Sequence, residues 1–523
     1  MFELIKDSAH LFNMHTTDWQ KVIFNEDCII PDVLPDVLDI SAIDVHTETI
    51  FISNTSEGTK INFNIIYKIL YISDGKSSLE AEDSKDTKTF SYTAEHTITF
   101  ADIFPENSRI IPMFGIESIE STIENSRKFS LKATLNVQLN SAYETEETIC
   151  TDIADDSGDI QFCKESIPMV FFNDYITDSI EINEGIELSS TKAPFKEILR
   201  SDAKLQNITT SVENNSLVVK GNIEISTLYI ADDIAESIQI IENEATFVHS
   251  LSVTDSENIN WNTDLQLTDF NSCVVPDSDN ENRILQISGS ISVNAFSYSI
   301  QNSELLADAY SLTKNILLSK KSVTAFKSAD KINTQFAIKE SAIIDSNLPY
   351  MSQIINVHAN LSDYSFASDY EKINISGNLN AVLTYISSNK ENPICSTTVR
   401  LPFFHTIENS FSDTNTKSFL NLNVNHISYS ILSENELELR ISLSVKGILA
   451  KECTFETITN YEEAEISNNE SEKPAILLYV VQTNDSLWEI AKRYNAPIEI
   501  LKEVNHLSEA SQIIPGQKIL IPQ

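Results

Sequence analysis

Glycine is scarce in this chain, with ten in 523 residues. None stands in a G-x-x-x-x-G-K-[ST] or G-x-G-x-x-G arrangement, so no glycine-rich cradle for nucleotide phosphates is indicated. Positive charge is equally short: 36 Lys and Arg face 77 Asp and Glu, for a net charge of −41. A surface this acidic repels phosphate backbones and anionic lipid, which argues against nucleic-acid binding and against docking on an acidic membrane. What it does confer is solubility. No apolar run approaches the ~20 residues of a membrane span. Residues 1–20 carry no basic stretch followed by an apolar one and do not read as a signal peptide. Six cysteines (Cys28, Cys150, Cys163, Cys273, Cys395 and Cys453) lie without ligand spacing. They read as buried free thiols in a reducing cytosol. The nine histidines form no H-E-x-x-H and no pair at metal-ligand spacing, and G-x-S-x-G is absent. The acidic stretch Asp152, Asp155, Asp156 and Asp159 departs from EF-hand spacing and reads as a solvated loop. The expectation is a protein that is not an enzyme and that holds no cofactor and no metal.

What is present is a repeat. The segments KINFNIIYKILYISD (60–74), KGNIEISTLYIAD (220–232) and SGNLNAVLTYISS (376–388) align on Tyr71, Tyr229 and Tyr385, which stand 158 and 156 residues apart. Glu26, Glu184 and Glu340 on an upstream strand have the same two separations. Two landmarks with one period define a triplication, and the period is that of a domain rather than of a solenoid repeat. One glutamate per copy also keeps the three apart, so they form no catalytic dyad. Alternation within each copy is strong, as in Leu131, Ala133, Leu135, Val137 and Leu139, and period two marks half-buried strands. Turn-prone clusters such as 277–282 separate the strands. Residues 35–43, 194–203 and 349–359 begin at equivalent prolines and are expected to hold short helices. Each copy is expected to be an antiparallel β-sandwich-like domain.

The last 45 residues follow another pattern. YVVQTNDSLWEIAKRYN (479–495) opens with a short apolar strand. Ser486 and Glu489 have the spacing of a capping box. Leu487, Ile490, Ala491 and Tyr494 recur at i, i+3, i+4 and i+7 on one helix face. Pro497 suits the first turn of a second helix, whose Ile498, Leu501 and Val504 are expected to face the core. In IIPGQKILIP (513–522), Pro515-Gly516 is a turn and the rest closes a sheet. A core this small is marginal, so Trp488 reads as packing rather than ligand contact.

These residues resemble the LysM module, a βααβ domain that binds N-acetylglucosamine polymers or, in some members, proteins. The resemblance implies a groove between the loop after the first strand and the loop before the last: Thr483, Asn484, Asp485, Ser486, Ile513, Ile514, Pro515 and Gly516. Leu487, His506 and Leu507 adjoin it. Many LysM modules carry glycine where Asn484 stands, which implies a positive φ there. The segment IIPDVLPDVLD (29–39) is similar to the signature of the SPOCS domain, of which copies two and three keep mainly Pro194 and Pro349. Three such copies with a C-terminal LysM resemble the SipL-like family of clostridial spore-coat morphogenetic proteins.

The expected fold class is mainly β, with three tandem antiparallel β-sandwich-like domains followed by a small βααβ LysM module. The expected boundaries are an N-terminal extension (1–19), SPOCS-like domains at 20–165, 166–322 and 323–460, an acidic flexible linker (461–476) and the LysM domain (477–523). The linker YEEAEISNNESEKP (461–474) is polar and poor in apolar residues. As a tether, it would let the module find a partner while the three domains hold another. The resemblance implies a mother-cell scaffold at the forespore surface whose LysM binds the coat-basement ATPase, stage IV sporulation protein A, alongside other coat proteins. The alternative is a peptidoglycan-binding protein of the spore cortex or cell wall.

Overall fold

The computed structural model describes residues 2–73, 86–233, 238–253, 259–345, 348–388, 394–413, 415–464, 476–507 and 513–522. Up to residue 464 the described chain is built from strands. β1 (Glu3–Thr16) and β2 (Gln20–Ile29) are followed by β3 (Val37–Thr55), β4 (Gly58–Ser73), β5 (Thr87–Phe100), β6 (Arg109–Asn125) and β7 (Lys128–Ala154). The second copy runs through β8 (Ile160–Glu187), β9 (Phe195–Glu213), β10 (Ser216–Ala231), β11 (Ile238–Ser252), β12 (Asn260–Pro276) and β13 (Asn282–Ser311). The third comprises β14 (Asn315–Ile343), β15 (Met351–Ser368), β16 (Lys372–Ser387), β17 (Ile394–Glu408), β18 (Thr416–Ser433) and β19 (Glu436–Ala464).

In each copy a three-stranded sheet, β3-β4-β5, β11-β10-β9 or β15-β16-β17, packs on a second sheet of long strands. The alternation of apolar residues accounts for this. On β4, Ile61, Phe63, Ile65, Tyr67, Ile69 and Tyr71 are all fully buried, and they meet Leu131, Leu135, Val137 and Leu139 of β7 in one core. Burying each such side chain contributes about 1.5–3 kcal/mol. Equivalent cores join Ile223, Ile225 and Tyr229 to Ile287, Ile291 and Val293, and Ile375, Leu379 and Tyr385 to Leu439, Leu443 and Val445.

The three segments expected to be short helices are instead the opening residues of β3, β9 and β15. Two β-bulges near the start of each strand break the period-two pattern and produce a spacing that mimics a helix. In β3 they fall between Val37 and Asp39 and between Ile40 and Ala42, and β9 and β15 carry the same pair. The chain before each strand is pinned by the repeat tyrosine. Tyr71 Oη donates to Pro35 O at 3.0 Å, Tyr229 Oη to Ala193 O at 3.3 Å and Tyr385 Oη to Pro349 O at 2.9 Å.

The long strands extend past their sandwiches. β1 pairs with the second half of β7, the first half of β8 with the second half of β13, and the first half of β14 with the second half of β19. The three ribbons meet in a shared stem. Repeat-equivalent Phe12, Val170 and Phe326 form one layer with Tyr298, Phe296, Ile448 and Ala450, and Leu11, Met169 and Ala325 form the next. Residues 3–16, expected to belong to an extension, are therefore a strand of the stem. Residues 461–464, expected to be linker, are strand as well: the Tyr461 ring stacks on Phe2 at 3.9 Å, and its hydroxyl donates to Phe2 O at 2.7 Å. The rest of the acidic linker, 465–475, lies outside the described residues.

A second junction joins the outer sheets. Asp44, Asp202 and His358 occupy equivalent positions on β3, β9 and β15. The Arg200 guanidinium pairs with both aspartates, His358 Nε2 lies 2.8 Å from Asp44 and Lys68 lies 3.2 Å from Asp202. Cys28, Cys150 and Cys395 are buried, as expected, and Cys163 and Cys453 are half-buried. Cys273 departs from the expectation. It is exposed because it lies on the outward face of β12, which pairs only with β13 at the edge of its sheet.

Candidate binding site

The C-terminal module consists of β20 (Ile476–Val480), α1 (Leu487–Arg493), α2 (Ile498–Val504) and β21 (Lys518–Pro522), with β20 and β21 paired antiparallel. Val481, Ile490, Ala491, Ala496, Leu501, Ile519 and Ile521 form its core. The capping box forms as read: Glu489 N donates to Ser486 Oγ at 3.1 Å, and Ser486 N donates to Glu489 Oε2 at 3.1 Å. Pro497 sits one position earlier than expected, as the N-cap of α2. Val504, expected in the core, is exposed: it is the last residue of α2 and follows the exposed Ile500 by one turn along the same helix face.

The two loops of the implied groove run side by side. Gly516 N donates to Val481 O at 2.8 Å and Val481 N to Gln517 O at 2.9 Å, while Ile514 N donates to Gln517 Oε1 at 3.0 Å. Asn484 has φ 73° and Gly516 φ 87°, so both occupy the left-handed region. Thr483, Asn484, Ser486, Pro515 and Gly516 are exposed, as is His506, whose φ is 55°. Ile514 is 65% exposed. Leu487, Leu507 and Ile513 pack against the module core instead.

Asp485 is occupied within the module. Its carboxylate accepts from Tyr479 Oη at 2.6 Å and from Gln482 N at 2.8 Å, and Arg493 lies at 3.4 Å. The tyrosine hydroxyl, the amide and the guanidinium hold this carboxyl below the usual range. It therefore stays ionised and fixes the shape of the loop. The exposed part of the site offers amide, hydroxyl and imidazole hydrogen-bonding groups beside one aliphatic side chain. That set can grip a polar ligand or a protein surface.

Trp488 packs against the module's hydrophobic cluster, as expected, and also reaches the body. Its indole Nε1 donates to Asp308 Oδ2 at 2.8 Å, and its ring meets Tyr310 edge-on at 5.1 Å. Lys492, Asn495 and Ala496 also contact this end of β13. Nothing in the local pattern of either segment marks this contact, because its partners are some 180 residues apart. Among the described residues, no group of three His, Cys, Asp or Glu side chains could hold a metal ion, and no helix is long and apolar enough to cross a membrane.

Comparison with known proteins agrees with this architecture. Residues 479–522 match the LysM domain family, and residues 194–275 match the family described as SipL, SPOCS domain. The chain is thus a protein of tandem β-sandwich-like units that carries a SPOCS domain and a C-terminal LysM domain, both binding-type modules. It is similar to the SpoIVD-associated factor A of Bacillus subtilis (strain 168), with 44% identity over 46 residues. That match covers 9% of this chain and 12% of the length of that relative. No solved structure matches the chain.

Proposed function

We propose that this protein is a non-enzymatic scaffold in spore-coat assembly whose LysM module binds a protein partner. The observation that carries this reading is the surface of the module. Ile514 stands exposed beside Pro515 and Gly516 on the loop that runs next to the exposed Thr483, Asn484 and Ser486, and His506 is exposed as well. An exposed aliphatic side chain among exposed polar groups suits a protein hot spot. The SPOCS domain and the relative named as a SpoIVD-associated factor support a role in sporulation. The partner proposed is the coat-basement ATPase, stage IV sporulation protein A, met at the forespore surface in the mother-cell cytoplasm together with other coat proteins. We further propose that the three repeat copies are SPOCS-like domains and act as the scaffold body.

Pull-down of that ATPase by the full chain tests the reading. Ile514→Arg and His506→Asp are expected to abolish capture while the melting transition shifts little, since both side chains are exposed. If both variants retain full capture, this surface is not the interface. The second reading, peptidoglycan binding, is favoured by the LysM match itself. Here the Asn484 side chain projects where many LysM modules have glycine, and weak or no sedimentation of the full chain with purified sacculi is expected. Saturable binding that Asn484→Gly leaves unaltered would favour the peptidoglycan reading instead.

A further inference from the structure

The LysM module lies on the body with α1 against the end of the β8–β13 ribbon. One carboxylate organises the contact. Asp308 accepts from Trp488 Nε1 at 2.8 Å and from Lys492 Nζ at 2.6 and 2.8 Å. Beside it, Tyr310 Oη donates to Ala496 O at 2.7 Å, and Asn495 Nδ2 donates to Ser311 O at 2.6 Å. Asn495 is held at φ 51°. Tyr310 is 2% exposed, and its ring belongs to the module's own hydrophobic cluster.

The seat is specific to the second ribbon. Tyr310 pairs with Gln161, and at the same register in the other two ribbons Ala154 pairs with Glu3 and Glu462 with Leu317. Alanine lacks both the ring and the hydroxyl, and glutamate would add a charge facing the carbonyl of Ala496. At the register of Asp308, the first ribbon has Asp152, which is engaged by Lys164, and the third has Asn460. The chain enters the module from β19, the third ribbon, yet the module rests on β13, where the ring, the hydroxyl and the free carboxylate coincide.

We propose that this contact is a latch keyed by Asp308. Closed, it makes the module and the stem one rigid body, covers the α1 face of Trp488, Lys492 and Asn495, and leaves the exposed loops around Asn484 and Ile514 turned to solvent. Open, it separates the module from the ribbon and uncovers an aromatic, basic face on a chain that is otherwise strongly acidic. Opening does not unfold the module, because Ile490, Leu501, Ile519 and Ile521 remain buried among module residues. Asp308 is the key because one carboxylate serves two donor side chains. Without it, the indole N–H and the ammonium both lose their partner in a half-buried contact. The inference rests on the contact itself and not on the identity of the module's ligand.

The full chain labelled with 5-fluorotryptophan provides the test. Its three tryptophans, Trp19, Trp261 and Trp488, give three fluorine resonances, and Trp488→Phe assigns the third. A neutral paramagnetic probe then measures solvent access at each one. In Asp308→Lys the open population is expected to rise about tenfold, the change expected on losing a charge-assisted bond. This appears as probe broadening of the Trp488 resonance alone, with Trp19 and Trp261 unmoved. Tyr310→Phe, which removes one bond, should give a smaller increase. If Asp308→Lys disturbs the body, seen as loss of the Trp19 and Trp261 resonances, Asp308→Asn removes the charge while keeping the shape and is expected to open the latch as well. The proposal is overturned if Trp488 in these folded variants is no more accessible than in the parent chain, or if the parent is already as accessible as Asp308→Lys.

Discussion

At the scale of single residues, the junction of the outer sheets holds the most consequential side chain. His358 is buried beside Arg200 and Lys204, and its pKa is pushed down to about 3, mainly by burial and then by those two cations, with Asp202 opposing. The Asp44 carboxylate 2.8 Å from Nε2 would favour the imidazolium. Arg200 already neutralises that carboxylate, so burial wins and the ring stays neutral. His46 is shifted in the same direction, by burial and then by Lys68. A folded-state pKa below the unfolded value of about 6.5 means that the unfolded chain takes up protons the folded chain refuses. The stability His358 contributes is therefore complete above about pH 6.5 and declines as pH falls towards 3, by up to ~1.4 kcal/mol per pH unit, and His46 acts in the same direction. Chemical denaturation at several pH values checks this. His358→Gln is expected to flatten the slope between pH 6.5 and 4, and an unchanged slope would show that this imidazole is not responsible.

At the scale of elements, the repeat tyrosines explain why three proline-led segments are strands. Each phenol is fully buried at the ring and donates to a carbonyl just before the outer strand. Tyr385→Phe keeps the ring and removes the bond, leaving Pro349 O without that donor. It should cost about 1–3 kcal/mol, measured as a lower denaturation midpoint with an unchanged m-value. The helical elements follow local rules more closely. Ser486 and Glu489 cap α1 reciprocally, as their spacing alone indicates, and Ser486→Ala should cost about 0.5–2 kcal/mol of module stability. Hydrogen exchange of the α1 amides, compared with those of β4, measures that loss.

At the scale of the whole molecule, the stem packs the three repeats against one another. Phe12 lies within 6.5 Å, centroid to centroid, of Phe172, Phe296, Tyr298 and Phe326, so the first strand packs against both the second and the third copy. Phe12→Ala is expected to cost about 3–5 kcal/mol and to lower the melting of all three sandwiches together. Independent transitions, with only the first copy affected, would show that the stem does not couple them.

The sequence by itself determined the triplication, the strand-rich class, the capping box, the βααβ order of the C-terminal module and the left-handed position of Asn484. The strand class and the capping box are written in local periodicity and spacing, the triplication in self-similarity along the chain, and the left-handed position of Asn484 is what the resemblance to the LysM module implies. Only the tertiary structure decided that residues 3–16 complete the stem, that bulged strands replace the short helices, and that Trp488, packed on the module core, also meets Asp308 and Tyr310. The reason is physical. The bulges are set by pairing with the next strand along, up to 36 residues away, and the stem and the docking by partners more than 100 residues away; a chain that alternates apolar and polar residues along its length does not encode which strand or seat each face will find.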